Sequence, residues 1–132
     1  MSHRSKIIKE WVDVQVTAAN QSFKQSFEVD KHVAVIIGIC IVSSSDDALY
    51  YRGSQRISMN DMEIYPEDYE SKMLMQGINV SVNDRIIKLG EEIAPGNRKV
   101  EIDYKDTDHP AVAFQPYRVR LYVYSRIDNQ NE

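Results

Sequence analysis

Ten consecutive residues, Val33 to Val42, carry no charge and no polar group beyond one thiol, and seven of them are β-branched. A helix needs roughly 20 apolar residues to span a bilayer, so this run is too short for a membrane segment. β-branched side chains lose rotamer freedom in helices and pack well on pleated sheets, so the run predicts a strand. Because it is apolar at every position, we expect both of its faces to be covered.

The two faces of this strand differ in bulk if its side chains alternate regularly. Every odd-numbered position is Val or Ile, whereas the even-numbered ones include Ala34, Gly38 and Cys40. We expect the bulky face to fill the space between two sheets. Gly38 and Cys40 allow another backbone to approach closely, so a loop, an arm or a neighbouring subunit is expected to cover that side.

The rest of the chain predicts further short strands. Residues 22–29 form either a strand or a loop, and Asn60-Asp61 lies between mirrored apolar residues, which favours a tight hairpin. A helix is expected near residues 66–75, because Pro66 and the acids after it suit a first helical turn. Period-two alternation, which predicts strands, is present in residues 12–16, 78–82, 100–104 and 117–124.

Short strands with at most one short helix, near residues 66–75, predict an all-β fold. An antiparallel β-sandwich, jelly-roll-like or immunoglobulin-like, is the first expectation, and a closed barrel is the second. The 132 residues are long enough for one domain with a real core. We expect residues 1–132 to form it, with an extended N-terminal arm over about 1–10 and a short polar C-terminal tail over about 127–132.

Charge and cysteine content restrict the function. The chain has 16 basic and 20 acidic residues and a net charge of −4, so no nucleic-acid partner is expected. Cys40 is the single cysteine, which rules out an intrachain disulfide. The first residues contain charges without a following apolar stretch, so a cytoplasmic location and no membrane association are expected.

Few residues suggest a catalytic or metal-binding site. Asp106, Asp108 and His109 could supply oxygen and nitrogen ligands to a metal ion from one loop, and a polar surface turn is the alternative. Nucleophile motifs and phosphate-binding loops are absent from the sequence. We therefore expect no cofactor and no enzymatic activity.

The outward side of residues 117–124 is the surface that most suggests a function. Arginine and tyrosine are enriched at protein interfaces, and they also stack on single-stranded nucleic acid. An ordinary exposed strand face is the third interpretation. The predicted interface residues are Arg118, Arg120, Tyr122, Tyr124, Gly38 and Cys40.

Three segments carry a resemblance: GSQRISMNDMEIYPEDYESKMLMQG, NVSVNDRIIKLG and FQPYRVRLYVYSRID. In its short strands, Asn-rich turns and polar ends, the chain resembles the small β-rich virion proteins of tailed bacteriophages. The resemblance implies an auxiliary capsid, decoration or head–tail connector protein of the virion. Such a protein forms homo-oligomers and docks to other virion structural proteins, and it has no catalytic residues. The alternative function is a carbohydrate- or small-ligand-binding module that uses Trp11, Tyr50 and Tyr51 for stacking.

Overall fold

A computed structural model describes residues 3–71 and 87–130. Within them the chain forms two four-stranded antiparallel sheets, with strand orders β1-β8-β3-β6 (sheet 1) and β2-β7-β4-β5 (sheet 2). The predicted all-β sandwich is confirmed. The elements are β1 His3–Val16, β2 Ser22–Glu28, β3 Val33–Ser43, α1 Asp46–Arg52, β4 Gly53–Met59, β5 Met62–Glu70, β6 Ile87–Ile93, β7 Lys99–Asp106 and β8 Tyr117–Gln130.

The strands are paired as in one long hairpin that has been folded over itself. β4 pairs with β5 at the tip, and β3 with β6, β2 with β7 and β1 with β8 follow outward from it. The wrapped hairpin is closed by two further pairs, β3 with β8 and β4 with β7. Eight strands wound in this way across two sheets have the jelly-roll topology, one of the two expected forms of sandwich.

The core lies between the two sheets and consists of alternate side chains from both. Burying one such aliphatic or aromatic side chain contributes about 1.5–3 kcal/mol of transfer free energy. Among the described residues, Tyr104 on β7 is the largest side chain that is fully buried. Fully buried apolar side chains of the two sheets include Val14, Val16, Ile36, Ile39, Val119, Leu121, Val123, Ile57, Met59, Val100 and Ile102.

The expected strict alternation along β3 is wrong in its first half. The register with β8 shifts between Val33 and Val35 and again between Ile36 and Gly38. Each bulge adds a residue and moves the following side chains to the other face. As a result Ile36 is fully buried in the core, whereas Val35 lies opposite Arg126 on the outer side of the sheet.

The predicted hairpin at Asn60-Asp61 is confirmed. The two residues adopt φ values of 53° and 60°, and they join Met59 to its partner Met62. Asparagine and aspartate tolerate this left-handed conformation because their short polar side chains hydrogen-bond locally. Residues 22–29, left open as strand or loop, form β2 over most of their length.

The helix predicted near residues 66–75 is wrong. Residues 66–70 belong to β5, which lies at the edge of sheet 2, where a proline is tolerated. The helix instead begins after Ser45, whose side-chain oxygen accepts a hydrogen bond from the Ala48 amide at 3.2 Å. Residues 72–75, and the strand predicted at 78–82, lie outside the described residues.

Residues 3–10, the expected arm, lie in β1 and pair with residues 123–130 of β8. This pairing continues without a register shift from His3–Gln130 to Val16–Tyr117. It places the two longest strands side by side in sheet 1. In the described part of the chain, no helix is long and apolar enough to cross a membrane.

Candidate functional site

The outer side of sheet 1 brings together the predicted interface residues. Along β1 and β8 the side chains alternate, so the positions between the core residues point away from sheet 2. On β3, Gly38 and Cys40 are the register partners of Tyr124 and Tyr122. We name this surface the aromatic–arginine face, with the residues Ile7, Lys9, Trp11, Asp13, Gln15, Arg118, Arg120, Tyr122, Tyr124, Arg126, Val35, Gly38, Cys40 and Val42.

Arg120 organises the centre of this face. Its Nε donates to Oδ1 of Asp13 at 2.6 Å, and its second terminal nitrogen donates to Oδ2 at 3.1 Å. The hydrogen bond from Arg120 lowers the pKa of Asp13, so the carboxylate is charged at neutral pH. The guanidinium also lies 5.1 Å from the ring centroid of Trp11 and 5.8 Å from that of Tyr122. These contacts hold both rings in place.

Trp11 is the most exposed large apolar side chain in the described residues, at 52%. Its ring lies 5.7 Å from that of Tyr122, which is its register partner on β8. Lys9 and Tyr124 form the neighbouring outward pair of β1 and β8, and Nζ of Lys9 lies 5.7 Å from the centroid of the Tyr124 ring. The aromatic rings are therefore ordered and accessible at the same time.

Gly38 and Cys40 are buried within the single chain, beside Tyr124 and Tyr122. Burial raises the pKa of the Tyr124 hydroxyl, with a smaller effect from the nearby Cys40. A small residue on β3 leaves space for the large ring on β8. This arrangement explains why an apolar run is tolerated on the outer side of the sheet.

Arg118 lies at the N-terminal end of β8 on the same face. Its backbone amide donates a hydrogen bond to Oγ of Ser44 at 2.9 Å. Its side-chain Nε is buried and has no hydrogen-bond partner in the part of the chain that the structure describes. Buried donors are nearly always paired in folded proteins. The Arg118 side chain is thus not fully satisfied by these residues.

The outer side of sheet 2 has a different character. Glu101 pairs with Lys99 at 3.2 Å and with Lys24 at 3.8 Å, and Arg56 pairs with Glu63 at 3.9 Å. The outward side chains that the strand register assigns are polar or charged: Ser22, Lys24, Ser26, Glu28, Ser54, Arg56, Ser58, Glu63, Glu70, Lys99, Glu101, Asp103 and Lys105. This is the ordinary solvated face of an antiparallel sheet.

The loop considered for metal binding has another role. The buried Arg52 donates to both oxygens of Asp106, at 3.1 and 2.8 Å, and to Asp108 at 2.8 Å. Asp106 also accepts from the Tyr117 hydroxyl at 2.7 Å and from the Asn20 amide at 3.1 Å. Among residues 3–71 and 87–130, no three His, Cys, Asp or Glu residues are grouped so that they could hold a metal ion.

This network lowers the pKa of Asp106. Burial of the carboxyl opposes the shift, but the hydrogen bonds from Arg52 and Tyr117 outweigh it. Burial raises the pKa of Tyr117, and its hydrogen bonds and the neighbouring charge add to that shift. The carboxylate is therefore a fixed anion that joins α1, β7 and β8.

The aromatic residues considered for ligand stacking fall into two groups. Tyr51 packs 4.8 Å from Tyr50 and 5.1 Å from His109, measured between ring centroids. Trp11 packs instead against Tyr122 on β8. His109 accepts a hydrogen bond from the Ala111 amide at 3.0 Å, which shapes the loop on which it lies.

Sequence reasoning found residues of β8 and β3 on the aromatic–arginine face, and missed those of β1. Lys9, Trp11 and Asp13 belong to it because β1 pairs with β8, and pairing over such a distance leaves no local signal. Opposite charges in the two alternating strands, Asp13 and Arg120, were the available indication.

No protein-family model matches this chain, and no curated protein matches it. Among solved structures there is a distant likeness to the structure of infectious bursal disease virus Gx strain, with 11% sequence identity and a TM-score of 0.37. The aligned part covers 96% of this chain and 39% of that chain. A likeness at this level carries no argument about function. It is to a structure from a virus, and the expected bacteriophage origin stays a prediction.

Proposed function

We propose that this chain is a non-catalytic structural protein of a virion, in the first instance of a tailed bacteriophage, that works through protein–protein contact. Its roles would be those of an auxiliary capsid, decoration or head–tail connector protein. The contrast between the two outer sheet faces carries the proposal. Sheet 2 presents paired charges, whereas sheet 1 presents an ordered group of aromatic, aliphatic and arginine side chains.

Such a group has the composition of a protein interface core. Tryptophan, tyrosine and arginine dominate the residues whose removal weakens protein complexes most. Binding costs free energy when side chains must be ordered, and here Arg120 and Asp13 already hold Trp11 and Tyr122. From strand lengths and spacing, β1, β8 and β3 cover roughly 650 Å², close to the ~800 Å² that each partner contributes to a standard interface.

The alternatives have less support. Asp106 and Asp108 are bound to Arg52, which favours a structural role for their loop over a catalytic one. Jelly rolls occur in viral capsid proteins and in lectins, so the fold alone does not choose between protein and carbohydrate partners. The arginine-rich composition around Trp11 favours a protein partner.

Site-specific photo-cross-linking tests the proposal. Benzoylphenylalanine replaces Trp11 on the aromatic–arginine face, and the same group at Ser26 on the outer side of sheet 2 is the matched control. In the native host, we expect position 11 to cross-link to a particle structural protein or to this chain, and position 26 to give no such product. Equal labelling from both positions would contradict the proposal. The neighbouring genes test the viral origin separately. If they encode no portal, terminase or major capsid protein, that part of the proposal is wrong.

A further inference from the structure

The aromatic–arginine face is basic although the chain is acidic. Of the residues that define it, four are basic, Lys9, Arg118, Arg120 and Arg126, and one, Asp13, is acidic. This is a formal charge of +3. Because the whole chain carries −4, the remainder carries −7. The surface that best fits this face is therefore acidic, and the residues outside the face are acidic as a group.

β5 is the part of the chain that matches the face best. Its nine residues include four acids and no base. Glu63 and Glu70 pair in register with Ser58 and Ser54 of β4, so they lie on the outer side of sheet 2. Met62, at the start of β5, is the register partner of the buried Met59, so it lies at the sheet edge on the core side, and it is 50% exposed. The other large apolar side chains exposed to this degree among the described residues are on the face or on α1.

Within one copy the two surfaces belong to different sheets. β5 lies at the edge of sheet 2, whereas the basic side chains point outward from sheet 1. We propose that a second copy of this chain docks the β5 edge, through Met62 and its acidic residues, against the aromatic–arginine face. The inference rests on the proposed function and names its partner. Trp11 and Ile7 supply the apolar contact for Met62. The basic residues around them meet Glu70 and Glu63, and Glu63 exchanges its exposed pair with Arg56, at 3.9 Å, for one in the second copy.

Such a contact is heterologous, because each copy uses one surface as donor and the other as acceptor. Contacts of this kind form closed rings or open chains, depending on the rotation between copies. Like charges oppose pairing of two basic faces or of two β5 edges, so the charge pattern also selects the head-to-tail arrangement.

A charge exchange with sedimentation velocity tests this arrangement. We expect the wild type to associate with rising concentration, and the association to weaken about tenfold or more as salt shortens the Debye length from about 10 Å to about 3 Å. The variants K9E/R126E, on the face, and E63K/E70K, on β5, are each expected to be monomeric. Mixed together, they offer one intact face–edge pair and one charge-exchanged face–edge pair, so they should associate with each other in equal amounts and in alternation.

The quadruple variant K9E/R126E/E63K/E70K restores opposite charges in exchanged positions, and we expect it to associate again. S22E/K24E/S26E is the matched control, with the same change in charge on β2, at the edge of sheet 2 opposite β5, and it should associate like the wild type. Circular dichroism and the unfolding midpoint check that each variant is folded. Association of either double variant without mixing, or a quadruple variant that stays monomeric, would overturn the inference.

The test separates this inference from the function beneath it. If the wild type is monomeric at all concentrations while position 11 still cross-links to another particle protein, self-docking is wrong and the assembly function stands. If position 11 also gives no cross-link, both are wrong. If the chain associates and neither charge variant changes that, association uses another surface and the inference fails.

Discussion

Replacing Asp106 by asparagine keeps the shape of the side chain and removes its charge, so it isolates the buried ion pair with Arg52. Both side chains are almost completely buried. The substitution leaves a guanidinium that cannot lose its proton, with Asp108 and the Val112 carbonyl as its remaining acceptors. Removing one partner of a buried pair costs about 3–5 kcal/mol of the free energy of unfolding.

This loss is large compared with the stability of a whole domain, about 5–15 kcal/mol. Part of it comes from hydrogen bonds to a charged acceptor, worth about 1.5–3 kcal/mol each. The asparagine oxygen can still accept some of these hydrogen bonds, so the total loss of unfolding free energy stays near the range given for breaking a buried pair. For a chain of this size we expect the melting temperature to fall by roughly 10–15 °C.

Urea unfolding followed by far-ultraviolet circular dichroism measures the change, with the slope against urea showing whether unfolding stays two-state. D108N is the matched control. Asp108 accepts from the same Arg52 nitrogen at the same distance of 2.8 Å as Asp106, but its side chain is 68% exposed. We expect D108N to lose far less stability, because solvent screens exposed pairs. Equal losses in the two variants would refute burial as the cause.

The pH dependence has a defined sign. The pKa of Asp106 is lowered in the folded chain from its ordinary value of 3.8, so the folded state favours the charged form. The stabilisation is therefore complete above the unfolded pKa of about 3.9 and is lost as the pH falls through the lower folded value. The difference between wild type and D106N should be constant from neutral pH down to about pH 5 and narrow below about pH 4. A difference that narrows on the alkaline side would contradict this assignment.

Two further variants test the local structure. S45A removes the cap of α1 and should cost about 1 kcal/mol in urea unfolding, whereas S26A on the exposed side of β2 should cost little; equal effects would contradict the capping role. In G53A the added methyl group would meet the Tyr104 hydroxyl, and it would lie 2.7 Å from Oγ of Ser71 and 2.8 Å from the Leu49 carbonyl. We expect a loss of about 1–3 kcal/mol, and an unchanged melting temperature would show that the chain relaxes there.

Features set by neighbouring residues could be predicted from the sequence. Period-two alternation located most of β7 and the start of β8, and Asn60-Asp61 located the hairpin, because these signals depend on local conformation. Glu67 and Asp68 after Pro66 carried the same signal as a helix start. That segment forms a strand instead, because it pairs with β4 at the edge of sheet 2 and tertiary contacts outweigh weak local propensity.

Features set by distant pairing could not be predicted. The bulges in β3 depend on its register with β8, and a shift of one residue exchanges the two faces of a strand. The pairing of Arg52 with Asp106 joins positions 54 residues apart, so Asp106 looked like a loop carboxylate free for metal. The β1 half of the aromatic–arginine face was hidden in the same way.

The pairing of β8 with both β1 and β3 has a consequence for biosynthesis. Neither strand can enter sheet 1 fully before β8 has left the ribosome, and Gln130, the last residue of β8, is 88 residues after Val42. At about 5–20 residues per second, roughly 4–18 s pass between synthesis of the apolar run and completion of β8. During that interval the β4–β5 hairpin can form, but the run is exposed and prone to aggregate. We therefore expect the nascent chain to engage chaperones at Val33–Val42, and chains cut short before β8 to be insoluble.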